Sequence, residues 1–286
     1  MRKLLIAAAA SLAFAGTASA ADLGARPYTK APVAPVFTWA GLYAGVQAGY
    51  VWGDTSTSNA VTCGAPGSAF VYVCNSTNVA NATAIVNSLG GTDNKGGFTG
   101  GGHVGFNWQN SALVYGVEAD LSAFDFRSSQ RGTGLFPFGG GGGAALGGNT
   151  FLVTTSASSD WLATLRARLG WAVAPTALIY VTGGAAFSDV KVSNTYRDNH
   201  STVDFDGAGA SSTSSLRAGW TVGGGLEWAF APNWTVRGEY LYVDLGKVDT
   251  VTLITNPLGH PGESTPFTTT ATLRASIARA GVSYKF

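Results

Sequence analysis

Charged residues of the same sign stand two positions apart on segments that otherwise contain mainly apolar and small residues. Glu118 and Asp120 form one such pair, and Arg166 and Arg168 form another. Residues two apart on a β-strand point to the same face. Charges enclosed away from water are tolerated only when opposite charges meet them. The spacing therefore predicts buried ion pairs between neighbouring strands.

Other strands carry charges that extend this prediction. Glu227 is expected to face a neighbouring strand that carries Arg237, and Glu239 is expected to face Arg279. The alternative is accidental pairing of scattered charges. The predicted lumen charge network comprises Glu118, Asp120, Arg166, Arg168, Glu227, Arg237, Glu239 and Arg279.

The elements that must position these charges are strands. Over residues 161–171, Leu165 and Leu169 fall on one face and the two arginines on the other. The segments of this kind are 39–52, 97–108, 113–126, 160–172, 177–190, 216–230, 234–245 and 272–286. The short connections are 109–112, 173–176 and 231–233, and the long ones are 53–96, 127–159, 191–215 and 246–271. This alternation of connections predicts an all-β fold, an eight-stranded antiparallel transmembrane β-barrel with four long extracellular loops and three short periplasmic turns.

Composition decides which face of the barrel is apolar. Soluble barrels of the lipocalin type alternate in the opposite sense and carry many charges outside. Only 12% of this chain is charged, against a typical value of about 25%. We therefore expect the apolar face to meet lipid and the charged face to line the lumen, which side chains fill in a barrel of this size. The net charge of +1 gives no indication of nucleic-acid binding.

The first residues of the chain are predicted to be a targeting segment. Residues 1–20 combine Arg2 and Lys3 with an apolar stretch and a small-residue cleavage pattern, which is typical of a secretory signal peptide. Residues 21–38 contain three prolines and are predicted to form a periplasmic leader. Residues 39–286 are assigned to the barrel. The predicted location is the outer membrane of a Gram-negative bacterium.

Cys63 and Cys74 are the only cysteines and lie in one predicted loop. Export to an oxidising compartment favours a disulfide between them. A free pair or a metal site is the alternative, and no histidine lies nearby in the sequence to support a metal.

Motifs that would indicate a cofactor or an enzyme lack their context. Gly100, Gly102 and Gly105 match a dinucleotide-binding pattern but lie within a predicted strand and open no helix. No nucleophile and base with partners can be assembled from the sequence. We therefore predict no catalytic residues, no metal, no cofactor and no enzymatic activity.

Seven segments of the sequence carry a family resemblance, namely residues 21–23, 30–32, 39–45, 49–53, 178–187, 236–246 and 281–286. As a set they resemble the alphaproteobacterial outer-membrane immunogenic proteins, which belong to the OmpA-like, porin-type superfamily. The resemblance implies a surface-exposed eight-stranded barrel that lies among outer-membrane lipid and lipopolysaccharide. It implies that Phe286 acts as a signal to the barrel-assembly machinery. It also suggests the hypothesis that Ala21 and Asp22, at the mature N-terminus, are joined to peptidoglycan.

The predicted function is structural, a surface-exposed barrel that contributes to envelope integrity. One alternative is a narrow or gated porin for small solutes. Another is loop-mediated adhesion or haem binding, in which His200 or His260 would supply an axial ligand. His103 is expected in the lumen as a hydrogen-bonded side chain.

Overall fold

The computed structural model describes residues 37–65, 72–74, 79–89, 93–137, 149–199, 207–258 and 261–286. The predicted signal peptide 1–20 and the leader up to residue 36 lie outside the described residues. Ala21, Asp22, His200 and His260 lie outside them as well, so the hypotheses that rest on these residues stay predictions.

The described residues form nine strands and one helix. In chain order they are β1 (Gly41–Val61), α1 (Ala80–Ser88), β2 (Asp93–Lys95), β3 (Gly97–Asn110), β4 (Leu113–Leu135), β5 (Thr150–Ala174), β6 (Ala177–Asp198), β7 (Ala208–Ala231), β8 (Trp234–Thr255) and β9 (Ser264–Lys285). All strand pairings are antiparallel.

The long strands close into a ring. Strand β1 pairs with both β3 and β9, and β4 pairs with β5, so the sheet formed by β1 and β3 to β9 has no free edge. The predicted all-β antiparallel barrel is confirmed. The strand count differs by one, because Asp93–Lys95 adds a short strand alongside Arg127–Ser129 of β4.

Most strands extend further than the sequence predicted, and they do so at the end of the barrel that carries the long connections. Strand β4 continues to Leu135, β5 starts at Thr150 and β8 continues to Thr255. The predicted long loops 127–159, 191–215 and 246–271 are therefore largely strand. Their serine and threonine content suggested loops, yet β-branched threonine fits a pleated strand well. The opposite end has tight turns at 111–112, 175–176 and 232–233.

Along the middle of each strand the outward side chains are apolar and exposed. Leu165 is 59% exposed, Val181 60% and Leu226 65%. The residues on either side of Leu165 and Val181 are buried, as is Glu227 beside Leu226. Within the described ranges, no helix has both the length and the hydropathy to cross a membrane.

The inward side chains form layers that repeat from strand to strand. On β4, from the turn end to the loop end, they begin with Val114, continue with Glu118 and Asp120, and reach Phe124 and Phe126. Polar Gln130 and then apolar Phe136 follow toward the loop end. Phe124 and Phe126 are each 1% exposed, so both side chains point inward. They do so although the register between β4 and β5 shifts beside them.

Candidate functional site

The predicted charge network forms one layer inside the barrel, near the turn end. Its members come from β4, β5, β7, β8 and β9, and all are between 1% and 6% exposed. The layer contains four carboxylates and four guanidinium groups, so its formal charges cancel.

Arg166 is the centre of the layer. Its Nη2 atom lies 2.5 Å from Glu118 and 3.0 Å from Asp120, and its Nη1 atom lies 3.0 Å from Glu239. Its side chain is fully enclosed, with 0% exposure. A guanidinium with several fixed donors suits this arrangement, because it can bind three carboxylates at once.

The other arginines complete the layer. Arg279 bridges Asp120 at 3.1 Å and Glu239 at 2.6 Å. Arg237 lies 2.5 Å from Glu118, and Arg168 contacts Glu227. Every acidic group of the predicted network therefore has a cationic partner.

One predicted pairing is wrong in detail. Glu227 and Arg237 are register partners on β7 and β8, as expected. However, Glu227 pairs with Arg168 of β5, and Arg237 pairs with Glu118 of β4. In a narrow barrel, long side chains reach across the lumen as easily as along the wall, so the partner need not be on the adjacent strand.

Two uncharged partners of the network were not predicted from the sequence. The Tyr43 hydroxyl donates to Glu118 at 2.8 Å, and the Tyr180 hydroxyl donates to Glu239 at 3.1 Å. The Arg168 guanidinium lies 3.8 Å from the centre of the Tyr180 ring, within cation–π range. The two-residue alternation indicates both tyrosines, since each is in phase with inward residues of its own strand.

His103 lies in the lumen, as predicted, and its Nε2 atom lies 2.8 Å from the Ser283 hydroxyl. Within the described ranges, no group of three or more His, Cys, Asp or Glu side chains could hold a metal ion. The arrangement of the charged layer favours mutual neutralisation of its groups, since its acids and bases bind each other.

Three further predicted residues have clear positions. Cys63 and Cys74 form a disulfide, with their Cα atoms 5.2 Å apart. Phe286 is 69% exposed on the outward side at the turn end, and its backbone N–H donates to the Leu42 carbonyl at 2.9 Å.

The family follows from a comparison with known proteins. A family model for the outer membrane protein beta-barrel domain matches residues 6–286. The chain belongs to this family. The 31 kDa outer-membrane immunogenic protein of Brucella melitensis is 31% identical over 250 residues, which are 86% of this chain and 88% of that protein.

More distant relatives agree. The 25 kDa outer-membrane immunogenic protein of Brucella abortus is 29% identical, over 86% of this chain and 85% of that protein. The 22 kDa outer membrane protein of Rhizobium leguminosarum bv. viciae is 27% identical, over 77% of this chain and 71% of that protein. This outer-membrane β-barrel family and its alphaproteobacterial group are those that the sequence segments indicated. The chain is an outer-membrane protein of a Gram-negative bacterium.

Proposed function

We propose that this outer-membrane barrel has a structural role, and that it contributes to envelope integrity as a filled cylinder, without enzymatic activity. The observation that carries the proposal is the charge network, in which Arg166 joins three carboxylates across the lumen. A group of interlocked, desolvated charges occupies the space that a solute would need. An eight-stranded barrel has little interior volume besides the space that this network fills.

Apolar layers on both sides of the network support the same proposal. Toward the turn end, Trp39 and Val114 are 3% and 0% exposed. Toward the loop end, Phe124, Leu162 and Leu241 are each 1% exposed or less. Water and small polar solutes would have to cross these packed layers, which disfavours the alternative of a constitutive porin.

The first long connection adds a cap at the loop end, which we define as Tyr72–Cys74 together with α1. Ile85 of α1 is fully buried and Tyr72 is 3% exposed, in one cluster with Phe136 and Phe151. At Gly132 of β4, a Cβ atom would lie 2.2 Å from the Ser88 hydroxyl, so this glycine leaves room for the end of the helix. The disulfide ties the cap to the segment that follows β1.

A solute-efflux experiment tests the proposal against the porin alternative. Folded protein, identified by heat-modifiable gel migration, is reconstituted into liposomes loaded with small sugars, beside a general porin as the positive control. We expect efflux at the rate of protein-free liposomes. Efflux that rises with the amount of folded protein, or stepwise conductance in planar bilayers, would contradict a filled barrel.

The structural role has its own test. Deletion of the gene is expected to increase sensitivity to detergents and bile salts, and the wild-type protein is expected to restore resistance. Unchanged sensitivity in the deletion strain would count against a role in envelope integrity.

Attachment to peptidoglycan through Ala21 is part of the same proposal. Muramidase digestion of sacculi is expected to release protein that carries muropeptide on its mature N-terminus. A free α-amino group on all of the protein would reject the attachment. We also propose that the exposed Phe286 engages the barrel-assembly machinery during insertion.

A further inference from the structure

On the outward surface of β4, β5 and β6, the charged residues from the register row of Arg127 and Lys191 toward the loop end are all basic among the described residues. The acids of this surface, Asp125, Asp160 and Asp189, each lie two residues closer to the turn end. Arg131, Lys191 and Arg197 are exposed there, and none of the three has an ion-pair partner among the described residues. We call these three residues and the hydroxyls between them the basic face. Its outward hydroxyl residues are Ser129, Thr133, Thr154, Ser156, Ser158, Ser193 and Thr195.

The strand register gathers these bases. Arg131 pairs with Thr154, which pairs with Thr195, two residues before Arg197. Lys191 pairs with Ser158 on the same strands. With strands about 4.8 Å apart and about 3.3 Å between residues, the three bases lie within about 20 Å of one another.

The opposite side of the barrel has no such excess. On β8, Lys247 and Asp249 share the outward face as Asp189 and Lys191 do on β6, but no further charge follows up to Thr255. On β4 and β6, Arg131 and Arg197 continue the basic residues toward the loop end. Below Lys247, Arg274 is paired with Asp244 at 3.2 Å. The charge asymmetry therefore belongs to one side of the barrel wall and is not a general property of the loop end.

The height of the basic face indicates its partner. Phe187 is the last outward aromatic residue of β6 and is 37% exposed. With the usual strand rise and tilt, Lys191 and Arg197 lie about 10 Å and 25 Å above it. In the outer leaflet of a Gram-negative membrane, this zone holds the phosphorylated sugars of lipopolysaccharide. Guanidinium groups bind phosphate well, and neighbouring hydroxyls can bind sugar hydroxyls.

We propose that the basic face binds the phosphorylated saccharide of lipopolysaccharide molecules that lie beside β4 to β6. This rests on the proposed structural role, because it requires the loop end to face outward. It adds the site and its chemistry: Arg131, Lys191 and Arg197 bind phosphate groups, and a row of serine and threonine residues binds sugar. Bound lipid would then be concentrated on one side of the barrel.

Two double variants with equal loss of charge test the proposal. Arg131→Gln/Arg197→Gln removes two of the three bases of the basic face, and Lys247→Gln/Arg274→Gln removes the same charge from the other side. Affinity for lipopolysaccharide is measured in detergent, with the same lipopolysaccharide after phosphatase treatment and with heparin as further probes. We expect the first variant to lose about tenfold in affinity and the second to lose less than about threefold, as for exposed ionic contacts.

Heat-modifiable migration and melting temperature confirm that both variants remain folded barrels. Equal affinity of the two variants, or no loss after phosphatase treatment, would overturn the basic face and leave the filled barrel intact. Tighter binding to heparin than to lipopolysaccharide, lost in the first variant, would overturn the membrane lipid as the partner. Solute efflux from liposomes would overturn the filled barrel instead, so the two failures are distinguishable.

Discussion

Arg166 shows what the charge network requires of a single residue. Its side chain has no exposure and binds Glu118, Asp120 and Glu239 together. Desolvation makes each of these groups costly unless its partners are present. Removal of this one cation therefore leaves carboxylates with fewer partners in a space that water cannot easily reach.

We predict that Arg166→Ala lowers the free energy of unfolding by about 3 kcal/mol or more, the range for broken buried ion pairs. The matched control is Arg274→Ala, the same substitution at an arginine whose side chain is 49% exposed. Exposed pairs contribute less than about 1 kcal/mol. For both variants we measure the urea concentration at which half of the protein is unfolded, followed by heat-modifiable gel migration. Equal midpoints for the two variants would contradict the buried network.

Sequence alternation identified the members of the network but not all of their partners. The two-residue period places Glu118 and Arg166 on inward faces wherever the strands lie, so their burial was predictable. The contact between Arg168 and Glu227 was not, because it depends on the width of the closed barrel and on side-chain rotamers across it. Tyr43 and Tyr180 were not predicted as partners because aromatic residues were expected on the outward face, at the height of the lipid headgroups.

At the scale of elements, the loop-end halves of the strands form a second packed region. There Tyr196 of β6 donates to Asp198 at 2.8 Å, and Tyr72 of the cap donates to the same carboxylate at 2.9 Å. These extensions were not predictable from hydrophobic alternation, since their outward residues are serine and threonine. The short helix α1 was also missed, because its sequence resembles the polar loops around it.

The pH dependence of the cap region follows from Tyr196. Burial, and after it the negative charge of Asp198, raises the pKa of Tyr196 well above its ordinary value of 10.0. A raised pKa in the folded state stabilises the protein below the unfolded pKa, near 10, and this contribution is lost as the pH rises further. Wild type is therefore expected to lose stability above about pH 10 relative to Tyr196→Phe. A difference in melting temperature that stays constant from about pH 8 to about pH 11, a range that includes the ordinary tyrosine pKa, would contradict this.

For the whole molecule, β4 and β9 carry a similar succession of buried layers. On β9, read from the turn end, Arg279 is followed by Ile277 and Leu273, then by Thr269 and Phe267. On β4 the order is acidic, aromatic and polar, and the aromatic Phe136 follows directly after the strand. Because neighbouring strands are in register, these positions meet as continuous layers. The closed ring and the antiparallel order were predictable from alternation and turn spacing, whereas the layering beyond the charged level required the full strand lengths.

Carbene footprinting tests, without any substitution, whether the apolar face of the barrel meets lipid and the charged face is enclosed. Folded protein in liposomes is labelled by a photoactivated apolar carbene reagent dissolved in the bilayer, and the modified residues are located by mass spectrometry. Leu165, Leu169 and Val181 are expected to be labelled, while Glu118 and Arg166 remain unlabelled. Label on the charged residues, with none on the leucines, would show the opposite orientation and exclude an enclosed charge network.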